Sequence, residues 1–269
     1  MKNINDYIDQ FGLIVNRGDG TESGGGDTLN KEGHYWFAKG ISFVSSQKRN
    51  QSFLQVEESL RYAPGVYFRH PSPPYNEPFR GQWATSRDQM RPWICAMWAV
   101  GDQSDHKLNE IYHWLETHHW FGPNFKFFSD LNGDHFGIEI QQILELSYHF
   151  PINRKWKHFL ADLSRTMHCI FQCLSSHIGR IFQKDQFVGN TVNLIPEVIW
   201  AHYQDRLLAK FNLYLLQSWH YGGPQWCYDW YFRQDFAPPI NECMREPIDR
   251  FFGNWKVRFP YNGKDFTSN

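Results

Sequence analysis

The run from Met90 to Val100 constrains the fold more than any other part of the chain, because it is almost wholly apolar. It follows Ser86-Arg87-Asp88-Gln89, which fits a capping box with the serine as N-cap and the glutamine three residues later. The pattern therefore predicts a helix that begins near the serine. Because a helix that is apolar on all sides is surrounded by other elements, this segment predicts the centre of a helical domain.

Apolar residues at helical spacing predict further helices along most of the chain. The predicted helices cover Thr28 to about Arg49, Gln51–Tyr62, Asp105–His118, Gly137–Phe150, Asn153 to about Phe187, Thr191 to about Trp219, and Ile240–Phe252. Long aromatic-rich loops connect them, and a short strand pair is expected within residues 65–84 or 254–262. The sequence thus predicts a mainly α protein in which residues 1–269 form a single helical domain.

Composition argues against several classes of function. The chain has 27 basic and 28 acidic residues and a net charge of −1, whereas a nucleic-acid-binding protein usually carries a basic face. No run approaches the about 18 apolar residues of a membrane-spanning helix, and the N-terminal sequence lacks an apolar signal segment. The five cysteines are interpreted as buried thiols in a reducing compartment. We therefore expect a cytoplasmic protein with no nucleic-acid or membrane partner.

The glycine-rich loop from Arg17 to Asn30 is the first candidate site, since it combines five glycines with the carboxylates of Asp19, Glu22 and Asp27. Such a cluster allows the backbone to approach a ligand closely or to make turns with positive φ. It is also typical of a flexible surface loop. The loop lacks the Gly-Lys-Ser/Thr step of a Walker loop, and its carboxylates repel phosphate. Asp27 or Thr28 is expected to cap the helix that follows.

Arg87 and Asp88 form the second candidate site, at the start of the apolar helix. A guanidinium donor beside a carboxylate acceptor can hold vicinal hydroxyl groups. The alternative interpretation is a capped helix whose charges face solvent.

A third candidate site is a Ca²⁺ loop formed by Asp130, Asn132 and Asp134. The glycine and glutamate positions of an EF-hand do not match here, so only a nonstandard Ca²⁺ site stays open, and an Asx turn is the favoured interpretation. No other metal and no other cofactor is expected.

The helical pattern, the ring-rich loops and Ser86-Arg87-Asp88-Gln89 at the start of a buried helix resemble the (α/α)-toroid carbohydrate-active enzymes. Glucoamylase-like members carry a Trp-x-Arg-Asp step in a similar setting, and here Trp83-Ala84-Thr85-Ser86-Arg87-Asp88 has a longer spacing. Since a full toroid of six hairpins uses a longer chain, the resemblance implies a reduced or open (α/α) toroid. It also implies that Asp88 holds sugar hydroxyls.

These features favour an enzyme, a hydrolase or a lyase, that acts on a carbohydrate or another polyol in an acidic, aromatic-lined groove. Glycoside hydrolysis needs two carboxylates across such a groove, and indole faces stack on pyranose rings. The expected catalytic residues are Asp19, Asp27 and Asp88. The expected substrate-binding residues are Arg17, Glu22, Trp83, Arg87, Trp226 and Trp230.

Two alternatives stay open at the level of sequence. The first is a non-catalytic structural or interaction subunit of a homo-oligomeric assembly, whose exposed rings are interface anchors. The second is a cofactor-independent enzyme that binds a hydrophobic small molecule in an aromatic-lined helical pocket.

Overall fold

A computed structural model describes residues 8–15, 26–41, 47–79, 83–101, 105–118, 137–147, 155–181 and 194–218. This part of the chain is mainly α-helical, as predicted. Its helices are α1 (Thr28–Ile41), α2 (Gln47–Leu60), α3 (Arg87–Val100), α4 (Asp105–Thr117), α5 (Gly137–Ser147), α6 (Lys155–Ile181), α7 (Ile195–Tyr203) and α8 (Ala209–Ser218). None of these described helices is both long and apolar enough to cross a membrane.

Helix α3 forms the centre of the described fold, which confirms the prediction from its apolar sequence. Every residue from Trp93 to Met97 is fully buried, and only Trp98 and Ala99 near the end of the helix are half-buried. Its neighbours are α1, α2, α4, α5 and α7. The helix therefore sits inside a layer of other helices, as an all-round apolar surface requires.

Helices α1 and α3 run side by side in the same direction, with their backbones in contact. An added Cβ at Gly33 would lie 2.5 Å from the backbone nitrogen of Trp93, and one at Gly40 would lie 2.5 Å from the Cβ of Ala99. The later glycine of α1 therefore contacts the later residue of α3, so the two helices are parallel. The two glycines, seven residues apart, remove the side chains that would otherwise hold the helices further apart.

A two-stranded antiparallel hairpin, β1 (Arg61–Ala63) and β2 (Val66–Tyr67), directly follows α2. The strand pair therefore begins slightly before the expected segment at 65–84. Gly65 makes its turn with φ +75° and packs against the backbone of Glu110 in α4, where a side chain has no room. The proline-rich segment after the hairpin carries the buried Tyr75.

Two helix boundaries differ from the prediction. In the segment from 28 to 49, expected as one helix, the structure describes α1 up to Ile41 and α2 from Gln47, and residues 42–46 lie outside the described part of the chain. The helix expected from 191 to 219 is two helices in its described part, α7 and α8, because Asp205 adopts φ +50° and ends α7. There the amide of Arg206 donates to the carbonyl of Ala201, and the amide of Asp205 donates to the carbonyl of His202, which is a Schellman arrangement.

Candidate functional site

The N-termini of α1 and α3 are joined by an exchange of side-chain hydrogen bonds. Gln89 of α3 accepts a hydrogen bond from the amide of Asn30 at 3.3 Å and donates one to Oδ1 of Asp27 at 2.9 Å. The amide of Leu29 donates to the carbonyl of Arg69 at 3.2 Å. These partners satisfy amides in the first turn of α1, which has no intrahelical acceptors for them.

The side-chain capping box predicted at Ser86 and Gln89 is not formed, whereas Asp27 directly precedes α1, as expected of its cap. Ser86 has the extended backbone of an N-cap, but its hydroxyl makes no capping hydrogen bond, and Gln89 reaches to α1 instead of back along its own chain. Asp27 accepts from the amide of Lys31 through its backbone carbonyl, and its carboxylate accepts from Gln89. The tertiary contact thus replaces the local capping box.

Pro92 explains why Asn30 occupies this position. A proline has no amide hydrogen, so the carbonyl of Asp88, four residues earlier in α3, has no intrahelical donor. The side-chain amide of Asn30 donates to that carbonyl at 2.5 Å. Asn30 of α1 therefore supplies the donor that α3 lacks, and Gln89 of α3 accepts from an amide at the start of α1. These reciprocal hydrogen bonds hold the first turns of the two helices side by side.

Four of the expected site residues lie around these two helix starts: Asp27, Trp83, Arg87 and Asp88. We call this group the α1–α3 rim. The Asp88 carboxylate is 54% exposed and lies 3.8 Å from Nε of Arg87, and Asp27 is exposed as well. The ring of Trp83 packs edge-on against that of Tyr75, with centroids 5.0 Å apart.

Arg69 ties together the segments that precede the two helices. Its Nε donates to the carbonyl of Ala84 at 2.7 Å, and its Nη1 donates to the carbonyl of Gly26 at 3.4 Å. Ala84 directly follows Trp83, and Gly26 directly precedes Asp27. The guanidinium of Arg69 thus links the segment before α3 to the segment before α1.

The other expected site residues lie outside the described part of the chain. They are Arg17, Asp19, Glu22, Trp226 and Trp230, together with the candidate Ca²⁺ residues Asp130, Asn132 and Asp134. Within the described residues, no group of three or more His, Cys, Asp and Glu side chains is arranged to hold a metal ion.

A buried ionic cluster lies inside the helices, one turn below the rim. We use this name for Arg91 of α3, Glu139 of α5, Asp162 and Arg165 of α6, and Glu197 of α7, all of which are buried. Glu197 is held between two guanidinium groups: Arg91 Nε donates to Oε2 at 2.6 Å, and Arg165 Nε donates to Oε1 at 2.9 Å. Such pairing is what allows charges to be buried.

Asp162 extends the cluster toward the end of α7. Its Oδ1 accepts from Nη1 of Arg165 at 3.3 Å and from Nε2 of Gln142 at 3.1 Å, and its Oδ2 accepts from Nη2 of Arg206 at 2.9 Å. Arg206 is placed by the Schellman turn at the end of α7. The cluster therefore joins α3, α5, α6 and α7 through charged side chains.

Two carboxylates of this cluster, those of Glu139 and Glu197, are held in their ionised form. Burial opposes ionisation of Glu139, but hydrogen bonds from His168 and Ser164 and the nearby Arg91 prevail and hold its pKa well below the usual range. The pKa of Glu197 is also lowered, because the charges of Arg91 and Arg165 outweigh its burial. Carboxylates of this kind are poor proton donors near neutral pH, so an acid for catalysis has to come from elsewhere.

Sequence reasoning did not single out Arg91, Asp162, Arg165 or Glu197 as site residues. A signal for two of them was present, since Arg91 and Glu197 are isolated charges within otherwise apolar helical runs. An isolated charge that is carried into a core needs a partner of opposite charge. The pattern predicts that partners exist, but only the fold reveals which residues they are.

A separate cavity of about 310 Å³ lies between residues 8–14, α1 and α2. Its lining includes Phe11, Tyr35 and Trp36 beside the carboxylate of Glu32. Both carboxylate oxygens of Glu32 are engaged, one by the amide of Ile14 at 2.7 Å and one by Nε1 of Trp36 at 2.9 Å. Burial and this carboxylate raise the pKa of Tyr35 to about 12. The cavity is at the small end of the range for ligand pockets.

Comparisons with known protein families, curated proteins and solved structures found no match for this chain.

Proposed function

We propose that the chain is a carbohydrate- or polyol-active enzyme, a hydrolase or a lyase, whose site is the α1–α3 rim. The observation that carries the proposal is the bonding of Gln89, which holds the Asp27 carboxylate and the start of α3 together. Two exposed carboxylates, from residues 61 positions apart in the sequence, thereby belong to one surface. Hydrolysis of a glycosidic bond requires such a pair, separated by roughly 5 to 10 Å.

In this proposal one of the two residues Asp27 and Asp88 is the general acid, and the other is the general base or nucleophile. One carboxylic acid gives its proton to the leaving glycosidic oxygen, and the other carboxylate either activates water or attacks the anomeric carbon. Arg87 donates to a sugar hydroxyl, and the Trp83 ring supplies an apolar face for a pyranose. The buried ionic cluster has a positioning role, since Arg91 lies one helical turn after Asp88 and is anchored by Glu197.

The parallel packing of α1 and α3 supports the toroid expectation. In an (α/α) toroid every second helix belongs to the inner ring, so helices two apart in sequence are parallel neighbours. Helices α1 and α3 have this relation, with α2 between them along the chain. The likeness concerns architecture and is only an analogy for function.

The test is a panel of α- and β-linked oligosaccharides and uronate-containing polysaccharides, assayed with the full chain. New reducing ends without an unsaturated product indicate a hydrolase, and an unsaturated product indicates a lyase. We expect Asp27→Asn and Asp88→Asn each to lower turnover about 10²- to 10⁴-fold, as for loss of a general acid or base. Trp83→Ala is expected to weaken substrate binding more than turnover.

Glu116→Gln is the matched control, because it neutralises an exposed carboxylate on α4, away from the rim. It should leave activity unchanged. If no substrate of the panel is bound or cleaved, the enzyme proposal is wrong and a non-catalytic interaction subunit becomes the better explanation. If the chain is active and both Asn variants retain full activity, the α1–α3 rim is not the catalytic site.

A further inference from the structure

Helix α6 has buried polar and charged side chains on one face and exposed large apolar side chains on the other. His158, Asp162 and Arg165 are buried against α5 and α7. The outward side chains are 39% to 63% exposed: Trp156, Phe159, Leu160, Leu163, Met167, Phe171 and Leu174. An apolar surface of this extent on one helix marks an interaction site.

Five of the outward residues, together with the half-buried Ile170, follow the spacing of a coiled-coil seam. Trp156, Leu160, Leu163, Met167, Ile170 and Leu174 are separated alternately by four and three residues, which is the a/d heptad pattern. This spacing keeps a straight seam along the roughly 27 Å that 18 residues of helix span. We call these six residues the α6 seam. A seam of this kind is shaped to receive another helix.

We propose that two copies of this chain associate through the α6 seam, with their α6 helices antiparallel about a two-fold axis near residue 165. The seam is symmetric about that point, so an antiparallel copy places Leu163 opposite Met167, Leu160 opposite Ile170, and Trp156 opposite Leu174. A two-fold contact uses the same patch on both copies, and it closes the assembly as a dimer.

The area of the apolar face suits a dimer. A large apolar side chain has roughly 200 Å² of surface, so seven side chains at about half exposure offer about 700 Å² on each copy. Two copies together would bury about 1,400 Å², within the range of specific protein interfaces. Phe159 and Phe171 flank the seam and widen it on both sides.

A membrane surface fits this helix less well than a second copy. A helix that lies in a membrane interface exposes its polar face to water and carries Lys or Arg there. The polar face of α6 is instead buried, where Asp162 pairs with Arg165 and Arg206. The proposal does not depend on the enzyme activity proposed above, since the α1–α3 rim includes no residue of α6.

Sedimentation velocity of the full chain tests the association. We expect a dimer in the micromolar range, and we expect Leu163→Glu to give a monomer with unchanged circular dichroism, since the side chain is exposed. The control is Leu207→Glu, which places the same charge at an exposed leucine after α7 and should leave the dimer intact. A wild-type monomer at concentrations up to about 0.1 mM overturns the proposal and indicates that another partner or another segment covers the seam.

The antiparallel register is tested by mixing charged variants. Leu163→Glu and Met167→Lys should each be monomeric alone and should form a heterodimer when mixed, because the glutamate then faces the lysine. Mixing Leu163→Glu with Leu163→Lys restores the dimer only if the helices are parallel. Rescue by the second mixture but not the first, or a dimer that persists in Leu163→Glu alone, would contradict the register proposed here.

Discussion

Helices α3 and α6 bury opposite kinds of side chain, although they contact the same ionic cluster. Helix α3 is buried on nearly every side by apolar residues, and Arg91 is its one charge in the cluster. Helix α6 buries Asp162 and Arg165 and leaves its large apolar side chains exposed. For α3, hydropathy alone indicates the orientation of the helix. For α6, hydropathy indicates an apolar seam that the described residues do not cover, so hydropathy alone does not show which face of that helix packs against the protein.

The largest effect is expected from removing the charge of Glu197, which pairs with Arg91 of α3 and with Arg165 of α6. Glu197→Gln keeps the shape of the side chain but leaves Arg91 and Arg165 buried without their main counter-charge. We expect a loss of about 3 to 5 kcal/mol in the free energy of unfolding, measured by urea denaturation. Glu116→Gln, at an exposed site, should change it by less than about 0.5 kcal/mol. Equal effects of the two variants would mean that the buried pairs contribute nothing specific.

The same cluster predicts a pH dependence. Since the pKa values of Glu139 and Glu197 are lower in the folded state than in the unfolded chain, their ionisation stabilises the fold above the ordinary glutamate value of 4.5. This contribution is lost progressively as the pH falls below that value. Urea midpoints measured from pH 7 to pH 3 should therefore decline, and Glu139→Gln should show a shallower decline than the wild type. A parallel decline in both proteins would contradict the assignment to Glu139.

The contact between α1 and α3 predicts the next largest effect. Gly33→Ala places a Cβ 2.5 Å from the backbone of Trp93, and backbone atoms cannot move aside as a side chain can. We expect a loss of about 2 kcal/mol from overpacking, seen as a lower urea midpoint. In an exposed helix the same change would stabilise by about 1 kcal/mol, so an unchanged or raised midpoint would show that the two helices are further apart.

Asn30→Ala tests the exchange of hydrogen bonds at the rim. It leaves the carbonyl of Asp88 without the donor that Pro92 cannot supply, and we expect a loss of about 1.5 kcal/mol. Gln55→Ala on the exposed side of α2 is the amide control and should change stability by less than about 0.5 kcal/mol. The double variant Asn30→Ala with Pro92→Ala should lose less than Asn30→Ala alone, since an amide is restored at position 92. If the double variant is no more stable than Asn30→Ala, the role of Asn30 does not depend on the missing amide of Pro92.

The smallest effect is expected on the outer face of α6. Met167→Gln should change the stability of the monomer by less than about 0.5 kcal/mol, because the side chain is more than half exposed. The measurement is made at low protein concentration, where self-association adds nothing to stability. A loss as large as that of Asn30→Ala would show that the seam is covered within the single chain.

Much of the architecture could be predicted from the sequence, because helix periodicity is a local property. The apolar run of α3, the long helix around α6 and the aromatic residues of the proline-rich loop all have the expected character. The division of the 191–219 segment could not be predicted, since Asp205 is not a residue that usually ends a helix in the left-handed conformation.

The candidate site was predictable only in part. Asp27 and Asp88 were identified by their positions next to helix starts, but nothing local indicates that those two starts are neighbours. Ser86 and Gln89 illustrate the reason: the residues match a capping box, yet Gln89 gains more from joining α1, where it satisfies an amide and holds Asp27. Contacts between residues far apart in the sequence compete with local contacts, and a sequence motif predicts only the local contacts.

Repeating apolar residues are enough to predict that this chain is mainly helical and that α3 lies inside, because they set both the helix and its burial. Which charges meet in the core, and that α6 faces outward with its large apolar side chains, follow only from the packing of the helices. The attraction between two charges depends on the distance between them, and that distance is a property of the packed helices. A residue such as Glu197 therefore acquires its role only when Arg91 and Arg165 are brought to it.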